Sequence, residues 1–383
     1  MKIALVSPYD WTVPGGVNSH CTHLREQFVA RGHQVRIVAP SSRPIEQEDV
    51  VTIGKRPLSV PASGSLARIS LSLTLAKPVR RLLAEERFDI VHVHEPFMPM
   101  LTINFLRYSE AVNVGTFHAN RGRGHFFYYT WGRRHLRRWF RRLDGKIAVS
   151  PAAAHFVEQY FPGYYNTIPN GVDIARFSEG SPPLAEYRDG KVNILFVGRP
   201  EKRKGLTYLI RAFAQVKAQR PDTRLIIVGA GKFDRFKRSV QSMRIKDIVF
   251  CGYVSDDDLP RYHHSADIFC APATGFESQG IVLLEAMASG LPVVASNIEG
   301  YAGVFTHGVE GLLVLPKESE GLAEALLSLV DDAPRRQAMA ERGRQRAEEF
   351  SWQRVSQQIL SYYERLLHER ELTGLQTEPA GAK

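Results

Sequence analysis

Apolar residues in this chain fall into short dense runs, separated by segments in which they recur every three or four positions. Dense runs of that length read as strands and the spaced segments as helices. "KIALVS" is the first strand; after the Pro/Gly loop "PYDWTVPGGV", Val17, Cys21, Leu24 and Phe28 share one helical face, and "ARGH" ends that helix. "QVRIVAP", "DIVHVHEP", "VNVGTFHA" and "GKIAVS" are further strands. Strands that alternate with helices imply a parallel sheet covered on both faces.

The pattern then restarts. "VNILFVGRP", "TRLIIVGAG", "DIVFCGYV", "ADIFCAP", "LPVVAS" and "GLLVLP" are six strands with helical patterns between several of them, such as "GLTYLIRAFAQVKAQ". The expected fold class is α/β, with two Rossmann-like, doubly wound parallel-sheet domains facing a cleft. The Gly, Pro and Ser content of "IPNGVDIARFSEGSPPL" marks the joint. The expected domains are 1–171 and 172–351, with a terminal helix over 352–372 that packs on either domain and a loose tail over 373–383. Open α/β sheets bind ligands beyond the carboxyl ends of their strands, so the cleft is the expected site.

Composition narrows the class. With 383 residues, 44% of them hydrophobic, the chain can fill two cores. Three cysteines without metal-type spacing fit a reducing compartment, and the first apolar run is too short for a signal peptide. No stretch approaches bilayer-spanning length. The expectation is a cytoplasmic protein, peripheral on the inner face of the plasma membrane if it touches lipid. A net charge of +10 suits an anionic partner.

Candidate chemistry sits after the strands. In "GFESQGIVLLEAMASG", Glu277 and Glu285 bracket seven residues, and a helix is expected from near Gly280 to Gly290. A helix N-terminus presents free N–H groups and a positive dipole end, suited to phosphate. Both carboxylates could accept from hydroxyls, although an acid before a helix also simply favours the dipole, and Glu285 could be solvated. "VGRPEKRKG" puts Arg199, Lys202, Arg203 and Lys204 in one βα loop, able to clamp a diphosphate or to lie in solvent. "PGGV" is half of a phosphate-binding loop at most. His118 ends a strand in "TFHA". His92 and His94 share a strand face, with no convincing third ligand in the sequence, so no metal is expected. Ser255 as a helix cap explains "SDDDLP" without one.

Wound as a helix, "YYTWGRRHLRRWFRRLDGK" gathers Arg133, Arg134, Arg137, Arg138, Arg141 and Arg142 within about half the circumference. Tyr129, Leu136, Trp139, Phe140 and Leu143 take the opposite arc. Such a helix could bury its apolar side in the domain and present its arginines to anionic headgroups or to solvent.

Taken together, "PGGV", "GRPEKRKG", "IPNGVD" and "FESQGIVLLEAMASGLPVVAS" resemble the retaining nucleotide-sugar glycosyltransferases of family four, with the GT-B fold and the E-x(7)-E hallmark at Glu277 and Glu285. "SPYDWTVPGGVNSH", "GSLARI", "DIVHVHEP" and "TFHA" resemble the phosphatidylinositol mannosyltransferases within it. The resemblance implies a mannosyl donor, GDP-mannose favoured, as co-substrate rather than cofactor. It implies an anionic phospholipid acceptor such as phosphatidylinositol, with no divalent metal. Gly16 would lie near the diphosphate, His118 near the reacting centre, and Arg199 and Lys204 on the diphosphate. Glu277 would bind donor hydroxyls, and Gly280, Ile281 and Val282 would offer backbone groups. Glu285 would bind the ribose and Arg68 the acceptor's phosphoinositol. Two departures touch these assignments: Gln279 stands where an aromatic is common, and the "GRPEKRKG" loop is one residue shorter than the mannosyltransferase loop. The alternatives are a transferase using UDP-sugars and a soluble acceptor, a sugar-nucleotide epimerase of the same fold, and a basic nucleic-acid-binding protein. The last leaves the glutamates idle, so no nucleic acid is expected.

Overall fold

The computed structural model describes residues 1–55, 57–62, 65–120, 123–178 and 180–377. The chain divides into two units, Met1–Asn170 with Trp352–Lys383, and Gly171–Ser351.

In the first unit the strands are β1 (Lys2–Val6), β2 (Gln34–Ser41), β3 (Val50–Lys55), β4 (Leu58–Ala62), β5 (Ser65–Ile69), β6 (Ile90–His94), β7 (Val112–Phe117), β8 (Gly145–Ala148) and β9 (Asn166–Thr167). Seven form one parallel sheet in the order β3-β2-β1-β6-β7-β8-β9, and β4 and β5 pair as an antiparallel hairpin. The five strands expected from the sequence are present. β3, the hairpin and β9 were not foreseen: β3 and β9 are sheet edges, and the hairpin stands outside the sheet. β9 is two residues long and the hairpin has no continuous apolar run; β3 does carry one, "VVTI", and places Val50 in one core and Ile53 in the other.

The second unit holds β10 (Val192–Val197), β11 (Thr223–Val228), β12 (Ile248–Gly252), β13 (Ile268–Ala271), β14 (Val293–Ser296) and β15 (Gly311–Val314). All pairs are parallel, in the order β12-β11-β10-β13-β14-β15. The expected α/β fold of two doubly wound parallel sheets is what the chain adopts. In each sheet the strand order reverses beside the first strand, between β1 and β6 and between β10 and β13, which is where such sheets bind ligands.

The C-terminal helix Trp352–Thr377 belongs to the first unit. Trp352, Val355, Ile359, Tyr363 and Leu366 bury one face against a core that includes Ile3, Leu5, Val114 and Ile147. The expected helix end at 372 is too early, since residues 373–377 continue it. Gly374 costs a helix about 1 kcal/mol relative to alanine, too little to end it there. The rest of the expected tail, 378–383, lies outside the described residues.

Candidate active site

The second unit carries the two glutamates. The helix Ile281–Ala288 follows Gly280, which has φ 80°, a left-handed value that glycine adopts without strain. A Cβ there would also come within 2.5 Å of the Tyr301 ring, so this glycine serves the packing under the helix start. The first N–H groups of the helix, those of Ile281 and Val282 among them, have no intrahelical acceptor.

Glu277 sits just before this helix and is buried. Lys204 Nζ lies 2.8 Å from its Oε1, and the Arg203 guanidinium donates to the same oxygen. Arg203 Nε also lies 2.8 Å from Glu201 Oε2. These cations come from the loop after β10, and the glutamate from the loop after β13, the strand beside it. The two loops are tied directly, since Thr274 N donates to Arg203 O at 2.7 Å. Gly205 closes the basic loop with φ 74°, and a Cβ there would stand 1.7 Å from Pro272 O, so only glycine allows this approach. Arg199 is the outlier: its side chain is 56% exposed and touches Glu201 at 3.2 Å. The sequence offered Arg203 to a diphosphate along with the other cations of its loop; its grip on Glu277 depends on the adjacency of β10 and β13, which has no local signal.

Glu285 lies one helical turn past the start. Burial pushes its carboxyl up to about 7, against the pull of Arg176 and Lys204, and the Asp256 carboxylate adds to the rise. Arg176 reaches Asp256, donating to its carbonyl oxygen. Ser255 accepts from Asp258 N at 3.1 Å, but it caps the turn before the helix Leu259–His264, whose N-cap is Asp258; the N-cap expected at Ser255 is therefore three residues early, and the acids lie in that turn rather than in the helix. Gln279, where an aromatic is common, is 4% exposed.

In the first unit the helix Gly16–Ala30 starts straight after the "PGGV" turn, and a Cβ at Gly16 would meet nothing within 4 Å. Asn18 pins the preceding loop: its Oδ1 accepts from Ser7 Oγ at 2.7 Å and its Nδ2 donates to Asp10 O at 2.9 Å. Arg68, on β5, lies 3.5 Å from Asp10 Oδ2 with its side chain 41% exposed. Burial would raise the Asp10 carboxyl, but hydrogen bonds from Ser42 and Thr12 hold it below the usual range.

His118 follows β7. Its backbone N donates to Glu95 Oε1 at 2.8 Å, and Glu95 is 2% exposed. Burial pushes the imidazole down to about 4, opposed by the Glu95 charge and a hydrogen bond with Asn170. His94 Nδ1 lies 3.0 Å from His118 Nε2, and His20 Nδ1 lies 3.0 Å from Asn170 Oδ1. Ring nitrogens of His20, His94 and His118 all lie within 4.8 Å of one another. Burial holds His20 and His94 well below the ordinary histidine value. His92 stands apart in role: Tyr363 Oη at 2.5 Å and Thr116 Oγ1 at 2.6 Å occupy both its nitrogens. The sequence offered His92 as the companion of His94; the fold instead brings His20 and His118 to it, from separate segments.

The arginine-rich segment forms the helix Arg123–Phe140 and the turn after it. Tyr129, Leu136 and Leu143 are buried, as the apolar face requires. Arg134, Arg137, Arg138 and Arg141 are exposed, while Arg133 is half-buried. Arg142 is engaged inward, donating to Leu106 O at 3.0 Å and Ser109 O at 2.5 Å. Trp131 is 85% exposed. No helix among the described residues is long and apolar enough to cross a membrane.

Known proteins share this architecture. Residues 14–176 match the family model described as Glycosyltransferase Family 4, and residues 185–346 match Glycosyl transferases group 1. A phosphatidyl-myo-inositol mannosyltransferase of Mycobacterium leprae is 37% identical over 366 residues, covering 95% of this chain and 96% of that protein. The protein of that name from Mycolicibacterium smegmatis is 36% identical, covering 95% and 94%. Among solved structures, a sucrose-phosphate synthase from Thermosynechococcus elongatus superposes with a TM-score of 0.78 at 21% identity, covering 96% of this chain and 99% of that one. This last likeness speaks for the GT-B fold alone.

Proposed function

The chain belongs to glycosyltransferase family 4, and we propose that it moves a mannosyl unit from GDP-mannose to phosphatidylinositol or a kindred anionic lipid, with retention and without a divalent metal. Likeness at 36–37% identity over nearly the whole chain to proteins named phosphatidyl-myo-inositol mannosyltransferase supports the mannosyl group and the lipid acceptor. The observation that carries the chemistry is Glu277, held by Lys204 and Arg203 directly before a helix N-terminus.

In this reading the diphosphate lies against the N–H groups of Gly280, Ile281 and Val282 with Lys204, and Arg199 swings in from solvent. Gly16 leaves room beside it. Glu277 accepts from mannose hydroxyls while its cations stay paired, and Glu285 accepts from the ribose. The bond from the anomeric carbon to the β-phosphate oxygen breaks as the acceptor oxygen bonds to that carbon from the same face. The acceptor proton passes to the departing phosphate oxygen. Fixed cations and helix N–H groups stabilise the charge that develops there, which is the task a metal would otherwise perform. His118, half-buried and neutral, offers the sugar a hydrogen bond and no charge. Arg68, half exposed beside Asp10, binds the acceptor phosphate. The exposed arginines of the helix Arg123–Phe140 rest on anionic headgroups, which makes the protein peripheral at the cytoplasmic face.

The test is transfer of label from GDP-[14C]mannose to phosphatidylinositol vesicles in the presence of EDTA. Organic-phase label in α linkage is the expected result. Label taken only from UDP-sugars would replace the donor. Activity abolished by chelation and restored only by Mg2+ or Mn2+ would refute metal independence, and conversion of the sugar nucleotide without acceptor would make the enzyme an epimerase.

A further inference from the structure

The three histidines His20, His94 and His118 have a feature that sugar transfer does not use. Asn170 Oδ1 can only accept, so the His20 nitrogen 3.0 Å from it, Nδ1, carries the proton. Nε2 of the same ring is then a bare lone pair. It is buried and has no hydrogen-bond partner, and the same is true of His94 Nε2. Buried polar atoms are rarely left unmatched, because each forfeits its hydration. The bare His20 Nε2 is the atom a ligand in this cluster would use, and ring nitrogens of all three histidines lie within 4.8 Å of one another.

We infer that this cluster is a binding site for a late first-row divalent cation of the Zn2+ class. Three imidazole nitrogens are a common ligand set for Zn2+, with bonds of about 2.0–2.1 Å and hence about 3.3 Å between nitrogens on one tetrahedral ion. His94 Nδ1 and His118 Nε2 are already 3.0 Å apart, so the ion would take the place of their shared proton. His20 closes the set by a shift of roughly 1.5 Å. The outer shell is of the right kind. Asn170 fixes the His20 tautomer that leaves Nε2 free to ligate, as the second partner of a metal-bound histidine does. Glu95, 2% exposed and bonded to the His118 backbone, supplies a buried negative charge beside three neutral ligands. The fourth position is left for water.

A cation here inhibits rather than assists, since it occupies the imidazole of His118; that consequence alone rests on the transfer reading.

Cobalt(II) tests the site without any assay of transfer. The apoprotein, stripped with chelator and dialysed, is titrated with CoCl2 and followed in the visible region. The inference expects tetrahedral d–d bands that saturate at one equivalent and vanish on addition of one equivalent of Zn2+. His20→Gln, checked for folding by circular dichroism, loses that equivalent; should it fail to fold, His94→Gln serves. Wild-type protein with no saturable bands overturns the inference, and so does a folded variant of either kind that binds as wild type. With the site verified in this way, inhibition of mannosyl transfer by Zn2+ in wild type, relieved by EDTA, places His118 at the reacting centre. Cobalt binding without inhibition would keep the metal site and remove His118 from that role.

Discussion

Lys204 Nζ lies 2.8 Å from Glu277 Oε1, across 73 residues of sequence and two adjacent loops, and Arg203 donates to the same oxygen. The carboxylate therefore carries two cations before any ligand arrives.

Glu277→Gln keeps the shape and removes the charge. It is expected to lower kcat by roughly 100- to 1,000-fold, the scale for losing one preorganised electrostatic contact. It should also lower the melting temperature of the unliganded second unit, because two cations lose their counter-charge in a buried setting. Steady-state kinetics and calorimetry read both. A kcat within threefold of wild type would remove Glu277 from the reaction.

Glu285 sets a pH dependence. Its folded-state carboxyl titrates at about 7, above the ordinary 4.5. The unfolded chain therefore gives up this proton first as pH rises. The stabilising contribution is complete below 4.5 and is lost as pH climbs through 7. Glu285→Gln has no such loss. At pH 5 wild type and variant should melt alike, and at pH 8 the unliganded variant should melt higher, by roughly 2–4 °C per kcal/mol recovered in a unit of this size. Parallel melting curves at every pH would mean the side chain is solvated.

Changing Arg134, Arg137, Arg138 and Arg141 together to glutamine should weaken binding to phosphatidylinositol vesicles by up to about 1,000-fold at low salt, at about 1 kcal/mol for each cation near the surface. Arg142 is left in place, since its donors hold Leu106 O and Ser109 O. Vesicle co-sedimentation across salt concentrations measures the effect. Unchanged binding would assign these arginines to solvent.

Tyr363→Phe leaves His92 Nδ1 buried without its partner at 2.5 Å. A stability loss of about 1–3 kcal/mol in the first unit is expected, the cost of an unmatched buried group. Binding of GDP or GDP-mannose to the second unit should not change. Denaturant melts and isothermal titration separate the two.

The stretch "GFESQGIVLLEAMASG" was readable because its elements are local. A glycine at φ 80° and an eight-residue helix each leave a short-range trace in the sequence. The hairpin that carries Arg68 left little trace, since β4 and β5 lie outside the sheet and have no continuous apolar run.

By itself the sequence determined the two doubly wound sheets, the family and the side chains offered at the ends of their strands. Hydrophobic spacing and turn chemistry act over a few residues, and these features need nothing longer. Tertiary structure decided which of those side chains meet. It brought Arg203 to Glu277, joined His20 to Asn170 across 150 residues, and seated Trp352–Thr377 on the first unit. Such contacts follow from strand order and from the packing of buried faces, and no spacing along the chain encodes them.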